Sequence, residues 1–152
     1  MAAGPFDEDF VEYGWEDLEL GRRLRKLDLR AVPVPEAKGY HYKASLQLSQ
    51  LPSLIARERQ RARTALVYYR KHPEFGVRMS IELTPVMFWL DRLFSLGGWT
   101  EREGTYKLLQ RLEERGHHLL LRMLVRLITH HAYMDEMRRA LPAGDPARRW
   151  VR

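Results

Sequence analysis

Proline spacing is the feature that most constrains the fold of this chain. From Ala44 onward, apolar residues recur with the spacing of a helix, and prolines interrupt that pattern at intervals of ordinary helix length. The interrupting residues are Pro52, Pro73, Pro85 and Pro142. Because proline lacks a backbone donor and clashes with the preceding turn, a helix interior excludes it. Residues 44–152 are therefore predicted to form a helical C-terminal extension.

The extension divides into a few helices. One helix is predicted over Leu51–His72, and the apolar segment Met79–Leu96 gives a second helix that Pro85 kinks or restarts. Thr105–Leu141 gives one or two more helices, broken near Gly116. The stripe predicted to face inward in this last part consists of Leu120, Leu124, Leu127 and Ile128.

Residues 1–43 follow a different pattern. Phe6–Tyr13 mixes aromatic and acidic residues without a period and is predicted to be a loop. Trp15–Leu27 is predicted to be a helix, with Glu19 paired to Arg23 on its outer face. A short strand, at the edge of a sheet or ending one, is predicted over Leu29–Val34, since prolines bound it. The sequence thus predicts an α/β fragment that is mainly helical.

Charge is distributed unevenly along the chain. The net charge is +6, but residues 1–20, the acidic segment, contain seven acids and no lysine or arginine. Residues 21–152 therefore carry +13, a charge that favours phosphates, anionic lipids or nucleic acid as neighbours. Much of it lies in a dense basic run: Arg57, Arg59, Arg61, Arg63, Arg70 and Lys71. An ion-paired surface and attraction to anionic lipid head groups both explain this run.

Several classes of function are excluded or disfavoured. The chain has no cysteine, which excludes a disulfide framework, a thiolate metal site and a cysteine nucleophile. No basic patch followed by an apolar run marks Met1–Phe10 as a secretory signal, so a cytoplasmic location is expected. Arg122 and Arg126 interrupt the most apolar segment, so no membrane-spanning helix is expected. The histidine pairs of the extension lack the i, i+4 spacing of a helical zinc site.

A specific motif lies in the first quarter of the chain. Residues 6–24 read FDEDFVEYGWEDLELGRRL, an acidic and aromatic run followed by Trp-Glu-Asp at a helix start. This run resembles the F-D-E-x-F … G-W-E-D-x-E-L-x-x-R-L stretch of glycosyltransferase family 2, especially members with a galactosyltransferase-type C-terminal module. The similarity continues through Pro35-Glu36-Ala37 to His41. It implies a GT-A fold, with a Rossmann-like sheet and flanking helices, and residues 1–43 as its acceptor-side catalytic segment.

The resemblance also implies roles for single residues. Asp17 is the expected base that deprotonates the acceptor hydroxyl, Glu16 an acceptor-binding carboxylate, and Trp15 an apolar platform for a sugar. The remaining expected site residues are Asp7 and Glu8, near the acceptor, and His41, at the metal or the donor diphosphate. Each has a simpler explanation, because acids in a first helical turn interact with the dipole, tryptophan usually packs, and loop acids are usually solvated.

Helix and strand lengths are consistent with this arrangement. A helix of about 12 residues rises about 18 Å, and a returning strand of about 6 residues covers about 20 Å. His41 can therefore return to the neighbourhood of Asp17. At the start of a helix, free amides and the dipole also favour an ionised carboxylate by about 0.3–1 kcal/mol.

The nucleotide-binding half of such an enzyme is not found in these residues. Asp7-Glu8-Asp9 has the form D-x-D, but Ala2-Ala3-Gly4-Pro5 precedes it instead of an apolar strand. We expect an N-terminal half, from a longer reading frame or another chain, to supply the metal motif. The complete enzyme is expected to use a divalent cation (Mn or Mg), a nucleotide-sugar donor and a saccharide or lipid-linked acceptor. This chain alone is expected to be inactive.

Two other functions are compatible with the pattern. One is a non-catalytic basic helical module that docks on a membrane surface or a partner protein. The other is nucleic-acid binding, which the charge of residues 21–152 suggests. It is disfavoured because the chain has no recognised reader motif and because the acidic segment would repel phosphates.

Overall fold

Six α-helices follow one another in the computed structural model, which describes residues 3–30, 32–40 and 46–151. In chain order they are α1 (Glu16–Arg25), α2 (Leu51–Lys71), α3 (Phe75–Ser80), α4 (Pro85–Phe94), α5 (Glu103–Glu114) and α6 (His118–Ala140). Short 3-10 turns cover Leu48–Gln50, Leu96–Glu101 and Pro146–Trp150. The described residues contain no β-strand.

The two longest helices, α2 and α6, form the centre of the molecule. Ala62 and Ala65 on α2 are completely buried, and their small side chains let the two backbones approach closely. Opposite them, α6 contributes Tyr133, Met134 and Met137 to the same hydrophobic cluster. The Tyr133 hydroxyl donates to the carbonyl oxygen of Ile81 at 2.8 Å, which satisfies the one polar atom of a buried ring. The packing of α2 against α6 thus forms the main hydrophobic core of the described residues.

A second cluster lies where α5 packs against α6 and the start of α2. The α5–α6 turn was predicted correctly, since Gly116 has a φ of 71° between the two helices. The predicted inward stripe of α6 was partly correct. Ile128 is buried and Leu124 packs against the cluster, whereas Leu120 is exposed. Leu121 and Val125, which the prediction left out, are buried in the cluster, and a helical period alone does not select between these neighbouring positions.

The predictions for the segment before α4 were partly wrong. The prediction that Pro85 restarts a helix is confirmed, because α4 begins at Pro85 and the side chain of Thr84 accepts from the Met87 amide at 3.4 Å. However, the preceding helix ends at Ser80, whereas the sequence predicted one element from Met79. Glu82, with a φ of 62°, lies in the turn between them. A helix cannot continue through such a residue.

The strand predicted over 29–34 was wrong for the residues that the structure describes there. Leu29, Arg30 and 32–34 are not in a strand, and they are exposed. A strand needs a neighbour for its backbone groups, and none is present among the described residues. The chain is therefore mainly helical. None of the described helices is long and apolar enough to cross a bilayer.

Candidate functional site

The motif is folded around a sharp turn just before α1. Gly14 has a φ of 110° and Trp15 a φ of 72°, so two successive residues lie outside the usual right-handed region. The positive φ favours glycine at position 14, and a Cβ added there would also make a tight contact, 3.1 Å from Cγ of Arg61. The hydroxyl of Thr64 donates to the Tyr13 carbonyl at 3.1 Å. The turn is therefore fixed against α2.

Trp15 is a packing residue in this structure. Its side chain is 7% exposed, and its ring stacks on Tyr68 with centroids 6.1 Å apart. The indole N–H donates to the Arg61 carbonyl at 3.0 Å, and the Arg61 guanidinium lies 4.9 Å from the ring centroid. With its faces against these groups, Trp15 does not provide the open platform that the resemblance implied. Instead it joins the start of α1 to the core formed by α2 and α6.

Glu16 and Asp17 form the first turn of α1, as the sequence predicted. Asp17 is exposed, and its Oδ1 accepts from the backbone amide of Leu18 at 2.8 Å. Glu16 is half-buried, and its Oε2 has no hydrogen-bond partner among the described residues. Among the same residues neither acid forms an ion pair. Asp17 is thus open to a ligand from solvent, whereas one carboxylate oxygen of Glu16 is buried without a partner.

The acids of the preceding loop are used differently. Asp7 pairs with Lys71 at 2.7 Å, and that side-chain hydrogen bond, with one from the backbone amide of Asp9, lowers the pKa of Asp7 below its ordinary value. The same lysine pairs with Asp9. Glu8 is exposed. Of the two loop acids predicted to bind substrate, Glu8 is the more accessible one, while Asp7 holds the loop to the end of α2.

Further ion pairs attach the acidic segment to the arginine-rich face of α2. Glu12 accepts two hydrogen bonds from Arg63, at 2.7 and 2.8 Å, and these hold the pKa of Glu12 below its ordinary value. Arg63 also donates to Glu136 on α6 at 2.7 Å. The guanidinium of Arg57 lies 3.9 Å from the ring centroid of Tyr13. Part of the basic run is therefore paired within the molecule.

A buried carboxylate was misplaced by the sequence analysis. Glu19 does pair with Arg23, with Nε 2.9 Å from both carboxylate oxygens, but Glu19 is 1% exposed and does not lie on an outer face. Its Oε1 also lies 3.0 Å from Nε2 of His72, at the end of α2. Arg23 in turn donates to the carbonyls of Ala3 and Pro5. Helical spacing predicted the pair, whereas the partner 53 residues away gave no local signal.

His41, the predicted metal residue, lies outside the described residues. Within the described ranges, no group of three or more histidine or acidic side chains is placed to hold a metal ion. The part of the site that can be described is therefore the pair Glu16 and Asp17 on the turn that Trp15 fixes.

Comparisons of the chain with protein-family models, with curated proteins and with solved structures find no match.

Proposed function

We propose that this chain supplies the acceptor side of an inverting nucleotide-sugar glycosyltransferase of the family 2 type. The observation that carries the proposal is the motif of residues 6–24 together with the exposed Asp17 in the first turn of α1. In this proposal Asp17 is the base, Glu16 binds the acceptor, and Trp15 fixes the turn that presents both. We also propose that the protein is located in the cytoplasm.

The chemistry assigned to Asp17 is a proton transfer. The acceptor hydroxyl oxygen forms a bond to the anomeric carbon, the bond from that carbon to the nucleotide diphosphate breaks, and the hydroxyl proton passes to the carboxylate. A base placed in this way contributes about 10²–10⁴-fold to the rate. Asp17 lies in the first turn of α1, where free amides and the helix dipole interact favourably with acidic side chains.

The donor side is assigned to a nucleotide-binding half that completes the GT-A domain. The described residues contain no strand and no D-x-D after an apolar strand, so they lack the sheet that would hold the diphosphate and its Mn or Mg ion. Calorimetry of the 152-residue chain with uridine and guanosine diphosphate sugars tests whether donor binding belongs to the other half. We expect weak binding at most, and micromolar affinity for any of these donors would contradict this assignment.

The role of Asp17 is tested in an enzyme assembled from this chain and its nucleotide-binding half. Asp17→Asn is expected to lower kcat by about 10²–10⁴-fold, with little change in KM for the donor. The matched control is Asp28→Asn, which changes another exposed aspartate at the far end of α1. Its φ of 55° is one that asparagine adopts readily. Unchanged turnover in Asp17→Asn would remove Asp17 from the base role.

A specific surface favours a second function, docking on the inner face of a membrane. Val86, Trp89 and Leu93 lie on the outer side of α4, and Trp89 is 62% exposed. Arg92 is exposed on the same helix. An apolar helix face with cationic neighbours is typical of helices that lie in the head-group region of a bilayer.

Vesicle sedimentation tests the membrane function. Vesicles of phosphatidylcholine with phosphatidylserine are expected to bind the protein at low salt and less at high salt. Trp89→Ala is expected to weaken binding several-fold. Tyr40→Ala, which removes another exposed aromatic ring, is expected to leave it unchanged. Absence of binding at low salt would contradict the membrane function and would leave the glycosyltransferase proposal intact.

A further inference from the structure

A small pocket lies between α4, α6 and the 3-10 turn Leu96–Glu101, on the helical extension. Its volume is about 140 Å³. Most of its wall is apolar and comes from five residues: Met87, Leu90, Phe94, Trp99 and Leu127. The indole N–H of Trp99 donates to the Phe94 carbonyl at 2.6 Å, so the ring is held in place and its polar atom is already used.

One end of the pocket is polar and strongly organised. Asp91 is 4% exposed, and its Oδ1 lies 2.9 Å from Nδ1 of His131. Its Oδ2 lies 2.8 Å from the guanidinium of Arg138. An ionised carboxylate can only accept hydrogen bonds, so Nδ1 of His131 carries the proton. In the neutral ring, Nε2 is then an acceptor, and His131 lines the pocket.

A second polar group on the wall lacks a partner. The hydroxyl of Thr100 is buried and forms no hydrogen bond with any described residue. Buried polar groups are rarely left without a partner in native proteins. Thr100 and His131 are therefore two groups of this wall from which a ligand can gain hydrogen bonds.

The dimensions and charges of the pocket restrict the ligand. A cavity of about 150 Å³ lined by apolar side chains holds a single benzene ring, so this pocket is the size of one six-membered ring. A saccharide ring would place several hydroxyls against an apolar wall without partners. An anionic ring would lie near Asp91 and near Glu82, whose carboxylate is 3.4 Å from His130 on the wall. A neutral ring with few polar groups fits best.

We propose that this pocket is a binding site for a small neutral phenol-type molecule. The ring lies against Phe94, Trp99 and Leu127, and the hydroxyl donates to Nε2 of His131. Asp91 and Arg138 act by orienting the imidazole. The site is separate from the proposed catalytic acids, because it is built from α4, α6 and the turn between α4 and α5.

An NMR titration with p-cresol tests the proposal, because the chain has four tryptophans and only Trp99 lines the pocket. We expect the indole signal of Trp99 to shift, with a dissociation constant below about 1 mM, as a small ligand of this size can reach. The signals of Trp15 and Trp150 are expected to stay in place. Toluene, which lacks the hydroxyl, is expected to bind about tenfold more weakly, as the loss of one hydrogen bond predicts.

Variants separate the hydroxyl contact from the shape of the pocket. His131→Phe is expected to weaken p-cresol about tenfold and to leave toluene unchanged. His118→Phe, at an exposed histidine of the same helix, should change neither. Leu127→Phe, which fills the pocket and keeps Asp91 paired, should abolish binding of both and tests the site if His131→Phe does not fold. No Trp99 shift, equal binding of toluene and p-cresol, or unchanged binding in Leu127→Phe would overturn the proposal.

Discussion

The outer faces of α2 and α4 differ in a way that their sequences do not suggest. The start of the chain covers the charged face of α2, where Glu12 and Asp7 pair with Arg63 and Lys71. By contrast, the apolar outer face of α4 is exposed, with Trp89 at its centre. In this molecule a dense run of charge marks an internal contact, and an apolar run marks a surface available to a partner.

The ion pairs alone do not explain why the acidic segment is held on α2. An exposed ion pair contributes about 0–1 kcal/mol, and most of these pairs are partly exposed. Burial of Trp15 contributes more per residue. Removing one partner from the enclosed contact of Glu19 with Arg23 and His72 also costs more, because it leaves a buried charge without its partner. We therefore expect the attachment of the acidic segment to depend on a few buried groups.

The largest expected effect is that of removing the buried tryptophan. Trp15→Ala loses the stacking on Tyr68 and the hydrogen bond to Arg61, and it leaves a cavity in the core. We expect it to lower the free energy of unfolding by about 3–5 kcal/mol. Urea denaturation followed by circular dichroism measures this change.

Trp89→Ala is the matched control on α4. Because Trp89 is 62% exposed, its removal should change the free energy of unfolding by no more than about 0.5 kcal/mol. If the two variants were equally stable, the conclusion that the face of α2 is covered and that of α4 is exposed would be wrong. If Trp89→Ala were the less stable one, Trp89 would contribute more to the fold than its exposure indicates.

A smaller effect is expected at the buried carboxylate. Glu19→Gln keeps the shape of the side chain but removes the charge that Arg23 and His72 contact. A hydrogen bond to a charged group contributes about 1.5–3 kcal/mol, and we expect a loss of that size in the same denaturation experiment. Glu8→Gln, at an exposed acid of the same segment, should leave the free energy of unfolding unchanged. If Glu19→Gln did not change the free energy of unfolding, the contact of Glu19 with Arg23 and His72 would not be what holds the acidic segment.

The sequence predicted most helices because their signals are local. Pro85 and Gly116 act through their own backbone conformations, so the restart of α4 and the break before α6 could be predicted without knowledge of the fold. The burial of Glu19 and the register of α6 depend on contacts with α2 that are distant in sequence. For the same reason Asp17 could be placed on a helix start, whereas the packed position of Trp15 could not be predicted.

The smallest expected effect concerns the ion pair between Glu12 and Arg63. The hydrogen bond from Arg63 lowers the pKa of Glu12 in the folded state, so the pair stabilises the fold above the unfolded-state pKa. That stabilisation is lost as the pH falls through the lowered pKa.

At pH 7, Glu12→Gln is expected to lower the free energy of unfolding by about 0.2–1 kcal/mol, and by less at high salt. Below the lowered pKa of Glu12 the variant and the original protein should be equally stable, because both side chains are then uncharged. A difference in stability that persisted at low pH would mean that Glu12 acts through packing. Ion pairs would then contribute less to the contact between the acidic segment and α2 than the charges of the two regions suggest.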